Sequence, residues 1–361
     1  MKLGTNIIMR SSFILLLVFL YSAIATGQDT KISGTVVDAT TGEPLTGVAV
    51  YVSGTSTGVV TGLDGTYSII YSKEFNAPLV FAYLGYEKIQ VEKPTSTNLS
   101  LVKMSEQTNN LDAVVIDPDP WSRATKEKLF LKYFVGSQSL DHCTVLNLKD
   151  VRLRFNPTTS QMTAVSSNPI ILKNTELGYL INYDLAEFEI NFRFIKSETG
   201  IEKTFLIEHA RNRYVVEGSF VAGTSFYQEL DSKKPTERQR ERRRKKAYQI
   251  SQLKLYRSII NEDMGRAYFG LFFNRFRVKP EDHIRVTKES EDVFKVTFRN
   301  LKYSIRDRNG DQSDIYLTTH VIYIDKYGNN LSPREIMFSG YIPQLGVGGM
   351  MPMDYDLNRE E

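Results

Sequence analysis

The sequence predicts a mainly β protein, with an antiparallel sandwich near the N-terminus and then a second, larger antiparallel-sheet domain with a few helices. Three observations carry this prediction. Short stretches alternate apolar and polar residues, turn sequences separate them about every ten residues, and 20 Tyr and 20 Phe suit a pleated core. The one cysteine, Cys143, cannot form an intramolecular disulfide, so we expect it to be buried and packing to stabilise the fold.

Residues 1–27 are predicted to be a signal peptide. Lys2 and Arg10 precede an apolar run at Phe13–Leu20, which small residues follow at Ala23–Ala25. The run falls short of the about 20 residues that a transmembrane helix needs, and no later run is long enough to span a bilayer. We therefore expect cleavage, export and a mature chain without a transmembrane span.

Residues 28–105 are predicted to form the sandwich. The alternating apolar sets that would share an inward face are Ile32/Gly34/Val36, Val48/Val50/Val52, Tyr67/Ile69/Tyr71, Leu79/Phe81/Tyr83, Ile89/Val91 and Leu99/Leu101. Turns are expected between them at Thr41–Pro44, Leu63–Gly65 and Leu84–Tyr86. A sandwich of this size has little room for a deep ligand pocket.

The same residues carry a resemblance to a known family. The motifs are Ile32–Asp38, Gly42–Leu45, Gly47–Val50, Gly54–Gly58, Asp64–Tyr67 and Phe81–Tyr86. Together they resemble the carboxypeptidase-regulatory-like domain of Bacteroidota. The resemblance implies a transthyretin-like (prealbumin-like) sandwich, which in that family lies beside metallocarboxypeptidase catalytic domains or ahead of the plug of TonB-dependent transporters.

The family name suggests an enzyme, but the residues argue against one. A metallocarboxypeptidase needs a zinc-ligand pair such as His-x-x-Glu, and none of the four histidines has Glu three positions later. Gly54–Gly58 matches the G-x-S-x-G pattern, but that motif requires a helix after the serine, and a strand and turn are predicted there. We therefore expect no catalytic residues, no cofactor and no metal.

Residues 106–120 are predicted to be a linker. Its segment Leu111–Ile116 resembles the stretch that pairs with TonB in TonB-dependent transporters. The candidate strand-pairing residues are Leu111, Val114, Val115 and Ile116. The alternative is a linker strand lying on the next domain. The residues that follow are too few for a transporter barrel at about ten residues per strand plus loops, so we expect at most an accessory role in uptake.

Residues 121–361 are predicted to form the larger domain. A proline-rich break ends at Pro120, and Trp121–Val135 has helical periodicity with Gly136 as a stop and Trp121 as a packing anchor. The predicted strand regions are Val145–Phe155, Met162–Val165, Ile170–Leu172, Gly178–Phe194, Thr204–His209, Tyr214–Phe226, Val293–Arg306, Ile315–Asp325 and Arg334–Tyr341, with a turn at Asp325–Asn329.

This region also resembles a companion domain of exported Bacteroidota proteins. The matching motifs include Trp121–Arg123, Phe134–Gly136, His142–Asn147, Leu177–Tyr183 and Met351–Tyr355. These proteins are generally described as carboxypeptidase-like regulatory domain-containing proteins. The resemblance implies architecture and export, and it implies no active site.

A basic helix is predicted at about 236–261, because Thr236 and Gln239 form a capping box. Residues 233–246 carry a net charge of +7, while the rest of the mature chain carries −6. The apolar second half should anchor the helix, and the basic first half should project. The candidate anion- or partner-binding residues are Arg238, Arg242, Arg243, Arg244, Lys245 and Lys246.

An envelope protein, an acidic glycan or an anionic lipid surface could bind this helix; the alternative is a solvated basic face without a partner. Nucleic acid is disfavoured, because exported proteins seldom meet it and no recognition motif is present.

The sequence thus predicts an exported, non-catalytic cell-envelope protein, in the periplasm or on the periplasmic face of the outer membrane, that binds a partner protein or glycan. The alternatives are an accessory of TonB-dependent uptake, or a hydrolase using carboxylates such as Glu187 and Glu189.

Overall fold

A computed structural model describes residues 30–72, 77–107, 119–195, 207–209, 212–231 and 235–355. The predicted signal peptide and the segment Leu111–Ile116 lie outside these residues. The mainly β class is confirmed, with antiparallel pairing dominant. Within the described part of the chain, no helix combines the length and apolar character needed to cross a membrane.

The N-terminal sandwich consists of β1 (Thr30–Asp38), β2 (Ala49–Val52), β3 (Gly58–Val60), β4 (Thr66–Tyr71), β5 (Leu79–Ala82), β6 (Ile89–Val91) and β7 (Leu101–Met104). One sheet has the order β4-β1-β7 and the other β3-β2-β5-β6. Their inner faces enclose a core that includes Val36, Val50, Ile69 and Phe81. Strand β7 pairs with β1 in parallel, so the pairing is antiparallel in all but this one case.

The predicted inward phase of Leu101 is wrong. Leu99 is 7% exposed, whereas Leu101 is 53% exposed, and Val102 and Met104 take the inward positions. The side chain of Asn98 accepts hydrogen bonds from the backbone N–H and hydroxyl of Ser100, which form a local turn between Leu99 and the strand. The turn interrupts the alternation, because strand periodicity holds only within continuous extended backbone.

The region after residue 121 begins with α1 (Arg123–Phe130), which continues as a π-helical turn (Leu131–Gly136). Ser122 caps α1 by accepting from the N–H of Thr125. A seven-stranded sheet follows, made of β8 (Cys143–Val145), β9 (Arg152–Asn156), β10 (Gln161–Val165), β11 (Ile170–Asn174), β12 (Tyr179–Ile195), β13 (Ile207–His209) and β14 (Asn212–Glu229). The long strands β12 and β14 pair with each other along nearly their whole length.

The chain continues through α2 (Glu237–Gln249) and α3 (Gln252–Ile260) into two more sheets. Their strands are β15 (Gly270–Phe273), β16 (Phe276–Val278), β17 (Ile284–Lys288), β18 (Val293–Phe298), β19 (Lys302–Arg306), β20 (Gln312–Leu317), β21 (Val321–Asp325) and β22 (Ile336–Gly340). Short helices α4 (Pro280–His283) and α5 (Tyr341–Leu345) complete the fold. One sheet has the order β16-β15-β19-β20-β22 and the other β17-β18-β21.

Three of the predicted strand regions are split in the structure. A 3-10 turn at Leu148–Asp150 separates β8 from β9 inside Val145–Phe155. Val293–Arg306 and Ile315–Asp325 each contain two strands that belong to different sheets. The buried side chains after residue 121 accordingly form two clusters, one under the seven-stranded sheet and one between α3 and the last two sheets.

The sandwich contacts the rest of the chain through its four-stranded sheet. The ring of Tyr51 stacks on Phe226 of β14 with centroids 4.9 Å apart, and its hydroxyl donates to Asp184 of β12. Backbone hydrogen bonds join the loop after β2 to β14, from Gly54 N–H to Ser225 O (2.6 Å) and from Tyr227 N–H to Thr55 O (3.1 Å). These contacts place the sandwich against the long β12–β14 pair.

Asp325 makes stability depend on pH. It is 1% exposed, its Oδ1 accepts from the N–H groups of Tyr327 and Asn329, and burial raises the pKa of its carboxyl to about 6 although Arg257 attracts the charged form. Between pH 6 and 4 the folded state binds a proton that the unfolded chain does not. The free energy of unfolding should therefore rise as pH falls through this window.

We expect Asp325→Asn to be more stable than the wild type at pH 8 by roughly 1–3 kcal/mol, because the amide oxygen keeps both hydrogen bonds without a buried charge. The difference should shrink toward pH 4. Urea unfolding at several pH values measures it. Parallel stability curves for the two proteins would contradict the role given to Asp325.

Candidate functional site

The predicted basic helix is two helices. Ile250 and Ser251 leave the helical conformation, and the Ser251 hydroxyl caps α3 by accepting from the N–H of Lys254. At the start of α2 the predicted capping box is present: Thr236 accepts from the N–H of Gln239, whose side chain accepts from the N–H of Thr236. A second N-cap residue, Ser251, therefore starts a new helix, so that α2 ends at Gln249, twelve residues before the predicted end at about 261.

The inner face of α2 lies on the loop between β11 and β12. Arg240, Arg244 and Tyr248 recur at helical spacing and are half-buried or buried. Gly178 has a φ of +72°, which favours glycine, and a Cβ there would lie 2.3 Å from the Arg240 side chain, so any other residue would strain the backbone and displace that arginine. The helix is thereby packed along one face.

Arg244, predicted to bind a partner, is instead a structural residue. It is 5% exposed, and its guanidinium donates to both carboxylate oxygens of Glu229 at 2.8 Å and to Leu177 O at 2.8 Å. Its planar group also lies 3.9 Å from the ring centroid of Tyr179. Because these contacts occupy the bidentate donors, Arg244 does not contribute to the exposed cationic surface.

The outer face of α2 carries the other predicted cations. All are exposed: Arg238, Arg242, Arg243, Lys245 and Lys246. Glu237 is paired with Arg240, and Glu241 accepts from the Tyr355 hydroxyl, so the two acids of the helix are engaged on its inner side. Among the described residues, no carboxylate lies within ion-pairing distance of these five cations.

This outer face is a concentrated positive surface. Like charges three and four residues apart on a helix repel each other by a few tenths of a kcal/mol per pair. A bound anion would remove that repulsion and gain Coulomb energy, which salt would screen over about 10 Å. The surface can therefore attract anions.

Arg257 of α3 connects three parts of the chain. It is 6% exposed and donates to the carbonyl oxygens of Tyr327, Met353 and Tyr355 at 2.6–2.9 Å and to the Tyr248 hydroxyl at 3.0 Å. The C-terminal segment that it contacts reaches the sandwich. There Met353 N–H donates to Gly54 O at 2.7 Å, and the Asp354 carboxylate accepts from Ser56.

The carboxylates considered for hydrolysis have other partners. Glu187 forms an ion pair with Arg334, and Glu189 accepts from the Gln161 amide at 2.9 Å. A cavity of about 250 Å³ lies near the end of α3, lined by residues such as Ile259, Met264 and Ile284, and neither glutamate lines it. Within the described chain, no three His, Cys, Asp or Glu side chains are grouped to hold a metal.

Two further sequence predictions can be placed. Trp121 is 3% exposed and stacks on Phe155 with ring centroids 3.6 Å apart, which confirms its role as a packing anchor. Cys143 is only half-buried rather than buried. Its surroundings still raise the pKa of the thiol to about 12, chiefly through burial, so the reactive thiolate is disfavoured at neutral pH.

Fold and surfaces together define a two-sheet β-sandwich domain docked on a larger β-rich region that carries a cationic helix face. Residues 32–116 match the CarboxypepD_reg-like domain family, so the chain contains a domain of that family. The predicted resemblance is confirmed for this part.

The relatives of this part are TonB-dependent receptors. The chain is 33% identical over 105 residues to TonB-dependent receptor P3 of Formosa agariphila, covering 29% of the chain and 10% of the receptor. It is 32% identical over 116 residues to TonB-dependent receptor SusC of Bacteroides thetaiotaomicron, covering 32% of the chain and 11% of the receptor. The chain thus spans about a tenth of the length of these curated relatives.

Sequence reasoning missed the residues that position α2. Gly178 and Glu229 precede Arg244 by 66 and 15 residues and lie outside α2, and no local pattern connects them to it. The one available signal was periodicity, since Arg240, Arg244 and Tyr248 share one face of the helix. The wide apolar face that marks an anchored helix begins only near Tyr248, so the pattern of the sequence assigns these arginines to the projecting half.

Proposed function

We propose that this chain is an exported, non-catalytic protein of the bacterial cell envelope that takes part in TonB-dependent uptake and binds an anionic partner protein through the outer face of α2. The uptake role is supported by the CarboxypepD_reg-like domain and by its TonB-dependent receptor relatives. The family match extends to residue 116 and so includes the candidate strand-pairing residues Leu111, Val114, Val115 and Ile116.

The observation that carries the binding role is the electrostatics of α2. Five exposed cations share its outer face, while Arg244 and Arg240 secure its inner face to Glu229. A helix fixed in this way presents its charges without losing conformational freedom when a partner binds, which favours affinity. The engagement of Glu187 and Glu189 by Arg334 and Gln161 supports the non-catalytic part of the proposal.

The test is affinity capture from envelope extract. We expect the wild-type chain to retain an acidic envelope protein together with components of TonB-dependent uptake. A variant with Arg238, Arg242, Arg243, Lys245 and Lys246 all changed to Gln should lose at least about tenfold of the captured acidic partner. Mass spectrometry of the bound material measures both.

A charge-matched control uses exposed lysines elsewhere, changed to Gln together: Lys31, Lys93, Lys103, Lys173 and Lys288. It removes five positive charges but leaves α2 intact, so capture should persist. Equal loss in both variants, or unchanged capture by the α2 variant, would disprove the α2 site. If binding to vesicles of anionic lipid accounted for all of the retention, the partner of α2 would be a membrane and not a protein.

A further inference from the structure

The five-stranded sheet has a solvent-facing side on which arginines lie beside aromatic rings. Along β15 and β19, Leu271 and Ile305 point into the core at 1% and 2% exposure. The alternate residues, Phe272 and Arg306, therefore lie on the outer face, because strand side chains alternate.

Gly270 creates the space in which these side chains meet. It pairs with Arg306 in the ladder, and a Cβ placed on it would lie 3.1 Å from the Phe272 ring and 3.9 Å from Arg277 Nε. The guanidinium carbon of Arg306 is 5.0 Å from the Phe272 ring centroid. Arg277 pairs with Phe272 from the neighbouring edge strand. One guanidinium group thus lies over the phenyl ring, and a second arginine is the ladder partner of the residue that carries the ring.

These arginines lack a counter-charge within the described chain. Arg277 and Arg306 are exposed, and no described carboxylate lies within 4.0 Å of either guanidinium. Arg306 donates to the neutral amide oxygen of Gln312 at 3.3 Å. The nearest carboxylate in the ladder, that of Asp314, accepts instead from Ser304 at 2.6 Å and from Gln312 at 3.3 Å.

Two more cation–ring pairs extend the same strands. Lys302 lies 4.9 Å from the Tyr316 ring centroid, and Arg308 lies 5.2 Å from that of Tyr268. Tyr268 is 60% exposed and has a φ of +63°, an unfavourable backbone region for a bulky residue. Such strain persists only when the surroundings enforce it, and it often marks a binding position.

We infer that this outer face binds an acidic polysaccharide. A guanidinium group such as that of Arg277 or Arg306 recognises a carboxylate by two parallel hydrogen bonds. Half-exposed rings such as those of Phe272 and Tyr316 offer apolar area to the faces of sugar rings. A sheet face that spaces cations and rings along its strands fits an extended chain carrying repeated carboxylates, and this site is independent of the one proposed on α2.

The test is affinity electrophoresis of the purified chain in gels containing polygalacturonate. The wild type should be retarded, and the double variant Arg277→Gln/Arg306→Gln should bind at least about tenfold more weakly. Fully methyl-esterified polymer, which has the same backbone without the charge, should not retard the wild type. Circular dichroism and unfolding midpoints confirm that the variants are folded.

Two control variants test whether binding depends specifically on Arg277 and Arg306. The double variant Arg285→Gln/Lys288→Gln removes two exposed cations from β17 and should bind normally, as should the five-residue α2 variant. Equal weakening by the β17 variant, full binding to the esterified polymer, or loss of binding only in the α2 variant would each overturn the inference. The inference would also be overturned if the wild type were not retarded, or if it bound anionic vesicles and not the polymer.

Discussion

Replacing Arg257 with Met is expected to lower the free energy of unfolding by about 3 kcal/mol or more. The substitution retains much of the side-chain volume but removes the donors to Tyr327 O, Met353 O and Tyr355 O. A buried acceptor that loses its hydrogen bond costs about 1–3 kcal/mol, and water has little access to a residue that is 6% exposed. Urea unfolding followed by circular dichroism measures the change.

The matched control is Arg285→Met, an arginine exposed on β17. It should alter stability by less than about 0.5 kcal/mol, since surface substitutions without buried partners rarely do more. If both Arg-to-Met variants unfolded at the wild-type midpoint, the buried network of Arg257 would have no stabilising role. The loss of stability should have a second consequence. Because the bonds from Arg257 would no longer hold the C-terminal segment, Met353 would be less firmly fixed at Gly54. Proteolysis between the sandwich and the region after residue 121 should therefore increase.

Replacing Gly136 with Ala is expected to destabilise the fold by about 2–5 kcal/mol. Gly136 has a φ of +95°, and a Cβ there would lie 2.3 Å from the backbone C and O of Leu345. The left-handed region costs an L-residue about 1–2 kcal/mol, and overpacking adds about 1–3 kcal/mol because no flexible side chain can move aside. Denaturant unfolding gives the difference.

Gly310→Ala separates the two causes. Gly310 has a similar φ of +88°, but nothing lies within 4 Å of its added Cβ. Only the conformational cost should remain, at about 1 kcal/mol. Equal effects at the two positions would show that the close approach of the π-helical turn to α5 contributes nothing.

The fold was predictable where the relevant signal is local. The sandwich strands β1, β2, β4 and β5 follow from continuous alternation between recognisable turns, and the capping box of Thr236 located the start of α2 within a residue. The failures occur where a short turn interrupts a pattern that continues on either side of it. Asn98 before β7 and Leu148–Asp150 before β9 are such turns, and period-two reasoning has no means of detecting them.

The candidate site, too, was predictable only in part. Which cations lie on α2 was evident from the sequence, whereas which of them is exposed depends on Glu229 and Gly178, which tertiary structure brings together. The outer face of the five-stranded sheet cannot be predicted from the sequence for a related reason. Arg277, Phe272 and Arg306 belong to three strands, and only the register of the ladder places them side by side.

The bonds at Met353 and Asp354 bear on the order in which the molecule assembles. All strands of the sandwich lie within residues 30–104, so its own sheets can form early in synthesis from contacts at short and moderate sequence separation. Its attachment to the Arg257 network requires a segment made about 250 residues later. A protein halted before residue 353 would therefore have a folded first domain that can contact β14 through Tyr51 and Gly54, but it would lack the bonds from Met353 and Asp354 that complete the docking.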